Sequence, residues 1–544
     1  MQVFNVKSTS AGGSSTNLPG PGISVVSAGG QNISAAESFL TTVNGGFFAQ
    51  EQLGFHNWSF LTVGGRYDYA SAFGADAPAV FYPKASLSVV PSDLSSWSRP
   101  LGINSLRLRF ALGKSGRQPG AFDKFTTFAP LRGELGAGLV PSNLGNPALK
   151  PEVATEIESG FEAGLWGDRV GIDATAWHRV VNDLLIARQF PVSGGFRRTQ
   201  LDNIGKATAY GYELGARSYV INRPRLSLEL SANASYISQT LNSLGGAPNI
   251  KTQPDYIRHR VFLKEGDPLG SIYAPRLAQA CPGGGATPAK NKANTDIACY
   301  GPDQFPISLN GNGRAATRAE LLAYLAQPRD LKTGAVQNAL KPLLADYDGN
   351  GNVLEQRIGK IFPDWTGTFG PTLTYHNNWR AQGLFEWRTG FMVHNLTYAF
   401  RNSQHATIGS NLRPYVQVEA ILNDPSSTPE QRLAAADEYI KNYRHLLEPG
   451  LNEFEKGDFL RFRELSLTYL APERLAARVG ARSMAFTLAG RNIGLWTPYS
   501  GADPEIAYAG RQAGGGVTGN FNDASDSFGM PVPRRIAFLV NLGF

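Results

Sequence analysis

Long apolar runs are missing from this sequence of 544 residues. A membrane-spanning helix needs about 20 consecutive apolar residues, whereas every apolar stretch here is shorter and interrupted, in keeping with a mean hydropathy of −0.22. A helical membrane protein is therefore excluded. The remaining classes are a set of soluble domains and a β-barrel, whose alternating strands give only a weak hydropathy signal.

Concentrated charge and catalytic groupings are missing as well. The formal net charge is +7, but the basic residues are scattered and form no long run, so binding to nucleic acid is not indicated. Arginines on the inward, polar side of a barrel account better for the excess. The seven His residues lack metal-ligand spacing, and we find no activated nucleophile and no pair of catalytic acids. The sequence therefore predicts a protein that is not an enzyme.

Cysteine is scarce, with Cys281 and Cys299 as the only two. Both lie in a segment rich in glycine and proline without further metal ligands, which favours a loop disulfide in an oxidising compartment over free thiols or a zinc site. A signal peptide is missing too, because residues 1–10 contain no basic stretch followed by an apolar core. For a chain that otherwise looks exported, this predicts that it begins partway through a longer one.

The end of the chain is the most informative stretch that is present. From Arg534 to Phe544 large apolar residues alternate with smaller or polar ones, which predicts a strand with one apolar face. Chain ends usually fray, so an apolar face that reaches an aromatic final residue is unusual for a soluble sheet.

Similar strand-like segments of about ten residues, separated by turn signals, recur from Gly45 onward. We count about fourteen of them, with short connections alternating with long ones. In 105–113 four large apolar residues interleave with Arg107 and Arg109, and 226–236 carries an apolar face that ends in a tyrosine. Such faces suit a wall with lipid on one side and water on the other.

Other segments are predicted to be loops. Residues 1–43, rich in Gly, Ser, Thr and Asn, are interpreted as a loop or linker, and 44–544 as the barrel portion. Within the latter, 240–355 and 402–456 are long loop insertions. They carry predicted helices at 319–326 and 429–447, the second of which begins with a threonine cap and a proline.

One strand-like segment breaks its own alternation of apolar and polar residues. In 460–469 the apolar parity slips between Arg463 and Leu465, which indicates either a β-bulge or a passage out of the bilayer.

The tryptophans either stack on sugars or, for most of them, occupy interfacial girdle positions. Examples are Trp58, Trp177, Trp365 and Trp496.

One motif has the spacing of a calcium loop. Asp346, Asp348 and Asn350 supply oxygen atoms at positions 1, 3 and 5, and Gly351 at position 6 permits the sharp turn. The bidentate Glu of position 12 is replaced by Arg357, so an Asx-rich turn without metal is the alternative. No other cofactor is predicted.

Several stretches, together with Phe544, resemble the C-terminal barrel of SusC/RagA-type TonB-dependent outer-membrane receptors. Their order and spacing match over most of 45–544. They are Tyr82–Asp93, Ser105–Phe122, Gly145–Ile186, Asn203–Gly215, Gly457–Glu473 and Leu488–Ile506. The resemblance implies an all-β fold, a transmembrane antiparallel β-barrel with long extracellular loops and short helices. About fourteen strands of a 22-stranded plugged barrel would be present here, as its C-terminal part.

The resemblance also implies a function and a location. The chain would be the barrel portion, without plug, of a TonB-dependent transporter for a glycan, peptide or other bulky nutrient in the outer membrane of a Gram-negative bacterium. Implied partners are a SusD-like surface lipoprotein, the TonB–ExbB–ExbD complex acting through the missing N-terminal plug, and the outer-membrane assembly machinery, which would read Phe544 as a C-terminal signal.

Two alternatives belong to other classes. A passive porin-like or structural outer-membrane barrel would be complete at about fourteen strands. A soluble, β-rich glycan-binding protein is disfavoured, because it would not need aromatic bands or a C-terminal Phe544.

Overall fold

The fold was analysed in a computed structural model. The structure describes residues 1–18, 20–21, 25–28, 31–75, 79–133, 136–190, 193, 196, 199–252, 260–284, 297–311, 313–327, 339–346, 353–403, 413–442, 454–506 and 525–544. They divide into two compact units. Unit 1 comprises Met1–Leu214 and Gln239–Pro248, and unit 2 comprises Gly215–Ser238 and Asn249–Phe544.

The main element is an antiparallel sheet of fourteen strands, in which each strand lies beside the one that precedes it. We label them in chain order as β1 (Gln2–Thr16), β2 (Gln31–Phe55), β3 (Ser59–Ala70), β4 (Ala79–Val89), β5 (Ile103–Arg117), β6 (Glu152–Leu165), β7 (Val170–Gln189), β8 (Thr199–Arg223), β9 (Leu226–Ser243), β10 (Trp365–Tyr375), β11 (Trp379–Thr389), β12 (Phe459–Leu470), β13 (Ser483–Trp496) and β14 (Arg535–Gly543). The predicted all-β sheet is confirmed.

Helices and short strands occupy the connections. The helices are α1 (Arg318–Ala326), α2 (Leu396–Ser403), α3 (Arg413–Asn423), α4 (Pro429–Asn442) and α5 (Glu473–Ala477). The short strands are Thr127–Gly133, Gly136–Asn143, Ile250–Lys251, Val261–Leu263, Ser271–Ala274, Gln304–Phe305, Ile307–Leu309, Ala316–Thr317, Leu340–Pro342, Gln356–Lys360, Met392–Asn395, Phe454–Lys456 and Ser525–Asp526. Within the described residues, no helix has the length and apolar character needed to cross a membrane.

The interpretation of residues 1–43 as a loop was wrong. β1 pairs with β2 from Gln2 opposite Gly46 to Thr16 opposite Gln31, so most of this segment is sheet. Its glycines and serines hide the alternation of apolar residues that marks a strand. The backbone hydrogen bonds between β1 and β2 depend little on side chains, and threonine and valine fit a pleated sheet well.

In unit 1 the two faces of the sheet differ sharply in polarity. On β5 the arginines Arg107 and Arg109 share one face, and Leu108 and Phe110 share the other. The register places Leu108 opposite Phe161 of β6, and Arg107 opposite Glu162. Apolar and charged residues are thus segregated across strands as well as along them, as a wall between lipid and water requires.

In unit 2 the apolar face carries two rows of aromatic residues. Tyr236 packs against Trp365 with 4.9 Å between ring centroids, and Trp379 packs against Tyr469 at 4.6 Å. Ten residues separate Trp365 from Tyr375 along β10. At about 3.4 Å per residue and a tilt of about 45°, this separation spans roughly 24 Å, which matches an apolar band of about 25 Å between two girdles.

The two long insertions of unit 2 pack on each other. α1 from the first insertion and α3 and α4 from the second share a core whose fully buried members include Leu325 and Leu422. Arg432 of α4 donates to the carbonyl of Leu325 at 2.7 Å. We call α1, α3, α4 and the strands Ile307–Leu309 and Leu340–Pro342 the loop platform.

The predicted helix at 319–326 is confirmed as α1. The helix predicted at 429–447 is confirmed as α4 as far as Asn442, and its last residues lie outside the described ones.

Candidate functional site

Charged side chains concentrate on the polar face of β5, β6 and β7 in unit 1. Arg109 donates to Asp173 at 2.9 Å and lies 2.9 Å from the carboxylate of Glu162. Arg179 of β7 forms an ion pair with Glu156 of β6. These side chains are partly exposed, so each pair contributes only about 0–1 kcal/mol. Their main effect is to make this face of the sheet wettable and densely charged.

A cavity of about 390 Å³ opens on this polar face. Its lining combines aromatic rings with carboxylates, guanidinium groups and hydroxyls, including Trp177, Glu158, Glu213, Asp173, Arg109 and Ser88. The guanidinium carbon of Arg179 lies 5.3 Å from the centroid of the Trp177 ring. Of the tryptophans named above, Trp177 therefore lies on the polar face, where it can stack on a polar solute.

A buried ionic network joins β11, β12 and the segment after β13 in unit 2. Arg461 is 3% exposed and forms ion pairs with Asp503 and Glu505. Next to it, Arg463 lies 2.6 Å from Glu386 and also reaches Glu505. The network comprises Glu386, Arg388, Arg461, Arg463, Asp503 and Glu505. Three cations balance three anions, which is the condition under which charges are tolerated away from water.

β12 is irregular next to these two arginines. Arg461 lies opposite Glu386 of β11, and the last regular pair is Phe462. The next paired residue of β12 is Glu464, so β12 advances by two residues where β11 advances by one, and Arg463 is the extra residue. The pairing of β12 with β13 is irregular at the same place. The β-bulge, one of the two interpretations of the parity slip, is therefore confirmed. Arg461 and Arg463 are two residues apart and share one side of the strand, and the extra residue turns Glu464 to that side as well.

Hydrogen bonds next to the network hold three loops of unit 2 together. The hydroxyl of Tyr499 donates to the buried carboxylate of Asp526 at 2.8 Å, and Thr397 donates to the same carboxylate at 2.7 Å. Burial, reinforced by the negative charge of Asp526, raises the pKa of Tyr499. The phenol therefore stays protonated and remains a donor. Ser500 is fixed by Glu455 through its amide and its hydroxyl, each at 2.8 Å.

The stretch that opens β6 has a structural role. Leu149 is fully buried, and the carboxylate of Glu152 accepts a hydrogen bond from the amide of Leu185 at 2.9 Å. Asn203 both accepts from the amide of Lys150 and donates to its carbonyl, each at 2.8 Å. These contacts fix the loop before β6 against β7 and β8.

The structure places the two cysteines in a bond. Cys281 and Cys299 form a disulfide, with 5.0 Å between their Cα atoms. The bond lies beside a small core that contains Leu343 and, at its edge, Ala298 and Tyr300. It therefore fastens a loop to buried structure.

Removal of this disulfide is expected to destabilise the first insertion by about 3 kcal/mol in the chain-entropy model. The variant with Cys281→Ser and Cys299→Ser should show faster protease cleavage in the first insertion, and reductant should have the same effect on the parent protein. Heat-modifiable gel migration, which reports the barrel, should be unchanged. Equal cleavage rates in parent and variant would contradict a stabilising role for the bond.

The residues of the predicted calcium loop are only partly described. Asp346 is buried, and its two carboxylate oxygens accept hydrogen bonds from Arg276 at 2.8 Å each. This hydrogen bond raises the pKa of Arg276. Asp348 and Asn350 lie outside the described residues, so the calcium site stays a prediction. Among the residues that the structure describes, no group of three or more His, Cys, Asp or Glu side chains is arranged to hold a metal ion.

Phe544 follows β14 directly. β14 pairs with β13 from Arg535 opposite Arg491 to Gly543 opposite Ser483. Phe544 is 77% exposed and continues the apolar parity of β14, which includes Phe538 and Val540.

Together these features define a class of protein. An antiparallel sheet with an apolar face bounded by aromatic rows, a charged face opposite, and short connections alternating with long ones is the wall of a transmembrane β-barrel. The comparisons with known proteins identify the family. A family model described as TonB dependent receptor-like, beta-barrel matches residues 3–423. The chain belongs to this family, and the resemblance to TonB-dependent receptors is confirmed.

Curated relatives and solved structures agree with this assignment. The chain is 24% identical over 528 residues to TonB-dependent receptor P26 of Formosa agariphila, covering 94% of this chain and 48% of the relative. It is 23% identical over 460 residues to TonB-dependent receptor P3 of the same organism, covering 82% of this chain and 40% of the relative. The chain thus spans about half the length of the curated relatives it matches.

The RagAB peptide transporter has a similar fold. Its structure superposes with a TM-score of 0.71 at 17% identity, covering 100% of this chain and 52% of that chain. The RagAB peptide importer in its open-open state gives a TM-score of 0.69 at 18% identity, with 100% and 52% coverage. At such identities the likeness shows the fold alone. Family and fold place the chain in the outer membrane of a Gram-negative bacterium.

Proposed function

We propose that this chain is the barrel portion of a TonB-dependent transporter that imports a bulky polar nutrient, a peptide or a glycan. The observation that carries the proposal is the family match over residues 3–423. The fold shared with the RagAB peptide transporter supports it. In this proposal the polar face lines the path of the nutrient, and the loop platform contributes to its capture.

The proposed partners follow from the same relationship. A SusD-like surface lipoprotein would close over the extracellular loops, and TonB with ExbB and ExbD would act on a plug that precedes the barrel in the longer protein. The outer-membrane assembly machinery would insert the strands. The loop platform supports the first of these partnerships, because its packed core gives the long connections of unit 2 a defined surface.

The chemistry of the polar face in unit 1 supports a polar, oligomeric nutrient. The cavity next to Trp177 offers a ring for stacking, and Glu158, Asp173 and Ser88 offer acceptors and a donor for hydroxyl or amide groups. Polar and charged side chains predominate in this lining, and the apolar ones besides Trp177 are Leu87, Phe110 and Ala111, so a lipid or an aromatic drug would find little to contact.

Uptake by cells that produce the full-length receptor tests the proposal. Labelled peptides and labelled oligosaccharides are supplied separately, and their accumulation is compared between the parent and the variant Trp177→Ala. We expect the variant to accumulate the true nutrient several-fold more slowly, because stacking on Trp177 is lost.

Trp365→Ala is the matched control, since it removes a tryptophan from the apolar face of β10. Its uptake should equal that of the parent once surface levels are matched. Accumulation of neither class by the parent would refute nutrient import, and equal effects of the two variants would refute the assignment of Trp177 to the path.

A further inference from the structure

Arginines cluster at the end of unit 2 where the short connections lie. They lie at the end of β8, in its connection to β9 and in the connection between β12 and β13. All are exposed, and none forms an ion pair with a described residue. They are Arg223, Arg225, Arg474, Arg478 and Arg482. We call this set the arginine rim. Across 216–228, 371–382 and 466–486, Glu473 is the only acidic side chain.

Backbone contacts make the rim a continuous surface within unit 2. The amide of His376 donates to the carbonyl of Arg225 at 2.8 Å. Asn378 and Leu470 exchange two hydrogen bonds, from the Asn378 side chain at 2.9 Å and from the Leu470 amide at 2.7 Å. The three connections are therefore neighbours held in a fixed order, and the positive charges of the rim accumulate instead of being dispersed.

The rim lies just beyond one aromatic row. Tyr375, Trp379 and Tyr469 form this row on the apolar face, and Arg225 comes directly before Leu226, which lies opposite Tyr375. Tyrosine and tryptophan occupy the level of the lipid headgroups. Arginines one residue further from the apolar band reach the phosphate level, with their aliphatic stems along the aromatic rings.

The connection between β12 and β13 combines charge with exposed apolar groups. Leu475 is 39% exposed and Val479 is 54% exposed. They are four residues apart, as are Arg474 and Arg478, and hydrogen bonds from Arg478 to Leu475 and from Val479 to Ala476 continue the turn of α5. One side of this turn is thus apolar and the adjoining side is basic, the pattern of a segment that lies in a membrane interface.

We propose that the arginine rim binds the phosphate groups of anionic phospholipids in the periplasmic leaflet of the outer membrane. Short connections face the periplasm in outer-membrane barrels. Guanidinium groups bind phosphate through paired hydrogen bonds, and the rim has almost no carboxylates to compete. The exposed Leu475 and Val479 meet the acyl chains next to the headgroup. A phosphorylated soluble partner would not bury these two apolar side chains, whereas the acyl chains of a lipid would, so lipid is the favoured occupant.

Native mass spectrometry of the receptor purified from outer membranes tests this proposal. The protein is placed in nanodiscs of phosphatidylcholine and dioleoyl phosphatidylglycerol, and the phosphatidylglycerol molecules that stay bound on release are counted. The variant with Arg474→Gln and Arg478→Gln should retain several-fold fewer of them than the parent. High salt should lower retention by the parent, because exposed charges are screened.

The matched control carries Arg318→Gln and Arg401→Gln, the same change of charge on α1 and α2 at the long-loop end. It should retain as much phosphatidylglycerol as the parent. A variant with Arg474→Lys and Arg478→Lys keeps the charge and should retain most of the lipid; it also replaces the glutamine variant if that one fails to fold. Equal retention by rim and control variants would overturn the proposal, as would displacement of the lipid by inorganic phosphate alone.

Discussion

Replacement of Arg461 by alanine is expected to lower the free energy of unfolding of unit 2 by about 3–5 kcal/mol, the range for removing one side of a buried ion pair. Arg461 is the most buried cation of the ionic network and forms ion pairs with both Asp503 and Glu505. Without the guanidinium, two carboxylates remain in a place that water barely reaches. Urea unfolding of the reconstituted protein, followed by tryptophan fluorescence, measures the loss.

Two controls separate buried charge from charge in general. Arg491→Ala removes a comparable ion pair with Glu464, 2.8 Å long but exposed, and should cost only about 0–1 kcal/mol. Combining Arg461→Met with Asp503→Leu removes charge from both sides, and Glu505 keeps Arg463 as its partner. The double variant should regain most of the stability. Equal losses for Arg461→Ala and Arg491→Ala would contradict the buried network.

The ionic network also has a consequence for the loops. Asp503 and Glu505 lie on the same segment as Tyr499 and Ser500, which hold neighbouring loops through Asp526 and Glu455. We therefore expect Arg461→Ala to increase protease cleavage between β13 and β14 before the sheet itself unfolds. A buried ion pair often stabilises a protein no more than apolar side chains of similar volume would. The role we assign to the network is therefore to position these loops.

Deletion of Phe544 is expected to lower the amount of assembled receptor in the outer membrane several-fold. The proposed reason is kinetic: an aromatic terminal residue after β14 serves the assembly machinery as a signal. Because Phe544 is 77% exposed, the stability of those molecules that do assemble should change by less than about 0.5 kcal/mol. Surface levels and urea unfolding of the assembled fraction measure the two effects separately.

Phe544→Trp keeps an aromatic end and should assemble normally. Unchanged surface levels after deletion would refute the role of Phe544 as a signal. A large loss of stability in the assembled fraction would instead show that the residue acts by packing.

Strands with clear alternation could be predicted from the sequence alone. The face from Leu226 to Tyr236 matches β9, and the parity slip near Arg463 matches a bulge. α4 begins where its cap and proline place it. In each case the signal is local, since neighbouring residues determine the face or the turn.

Features that depend on distant residues could not be predicted. β1 was missed because its residues lack an apolar parity and only its partner β2 makes it a strand. The ionic network joins Arg463 to Glu386 across 77 residues, and Arg432 meets Leu325 across 107. The two arginines in Leu460–Tyr469 and the acids in Leu488–Ile506 lie in segments that stand out in the sequence, but nothing in the sequence indicates that they are in contact. The partner of Asp346 is likewise distant, because Arg276 lies 70 residues earlier.

Dependence on TonB tests the central claim most directly. Cells that produce the full-length receptor are given the labelled nutrient identified in the uptake screen, and accumulation is compared in otherwise identical cells with and without TonB. An energised transporter predicts that accumulation falls to background without TonB, while the surface level of the receptor stays the same. Undiminished accumulation in cells without TonB would contradict the account and would identify a passive, porin-like barrel.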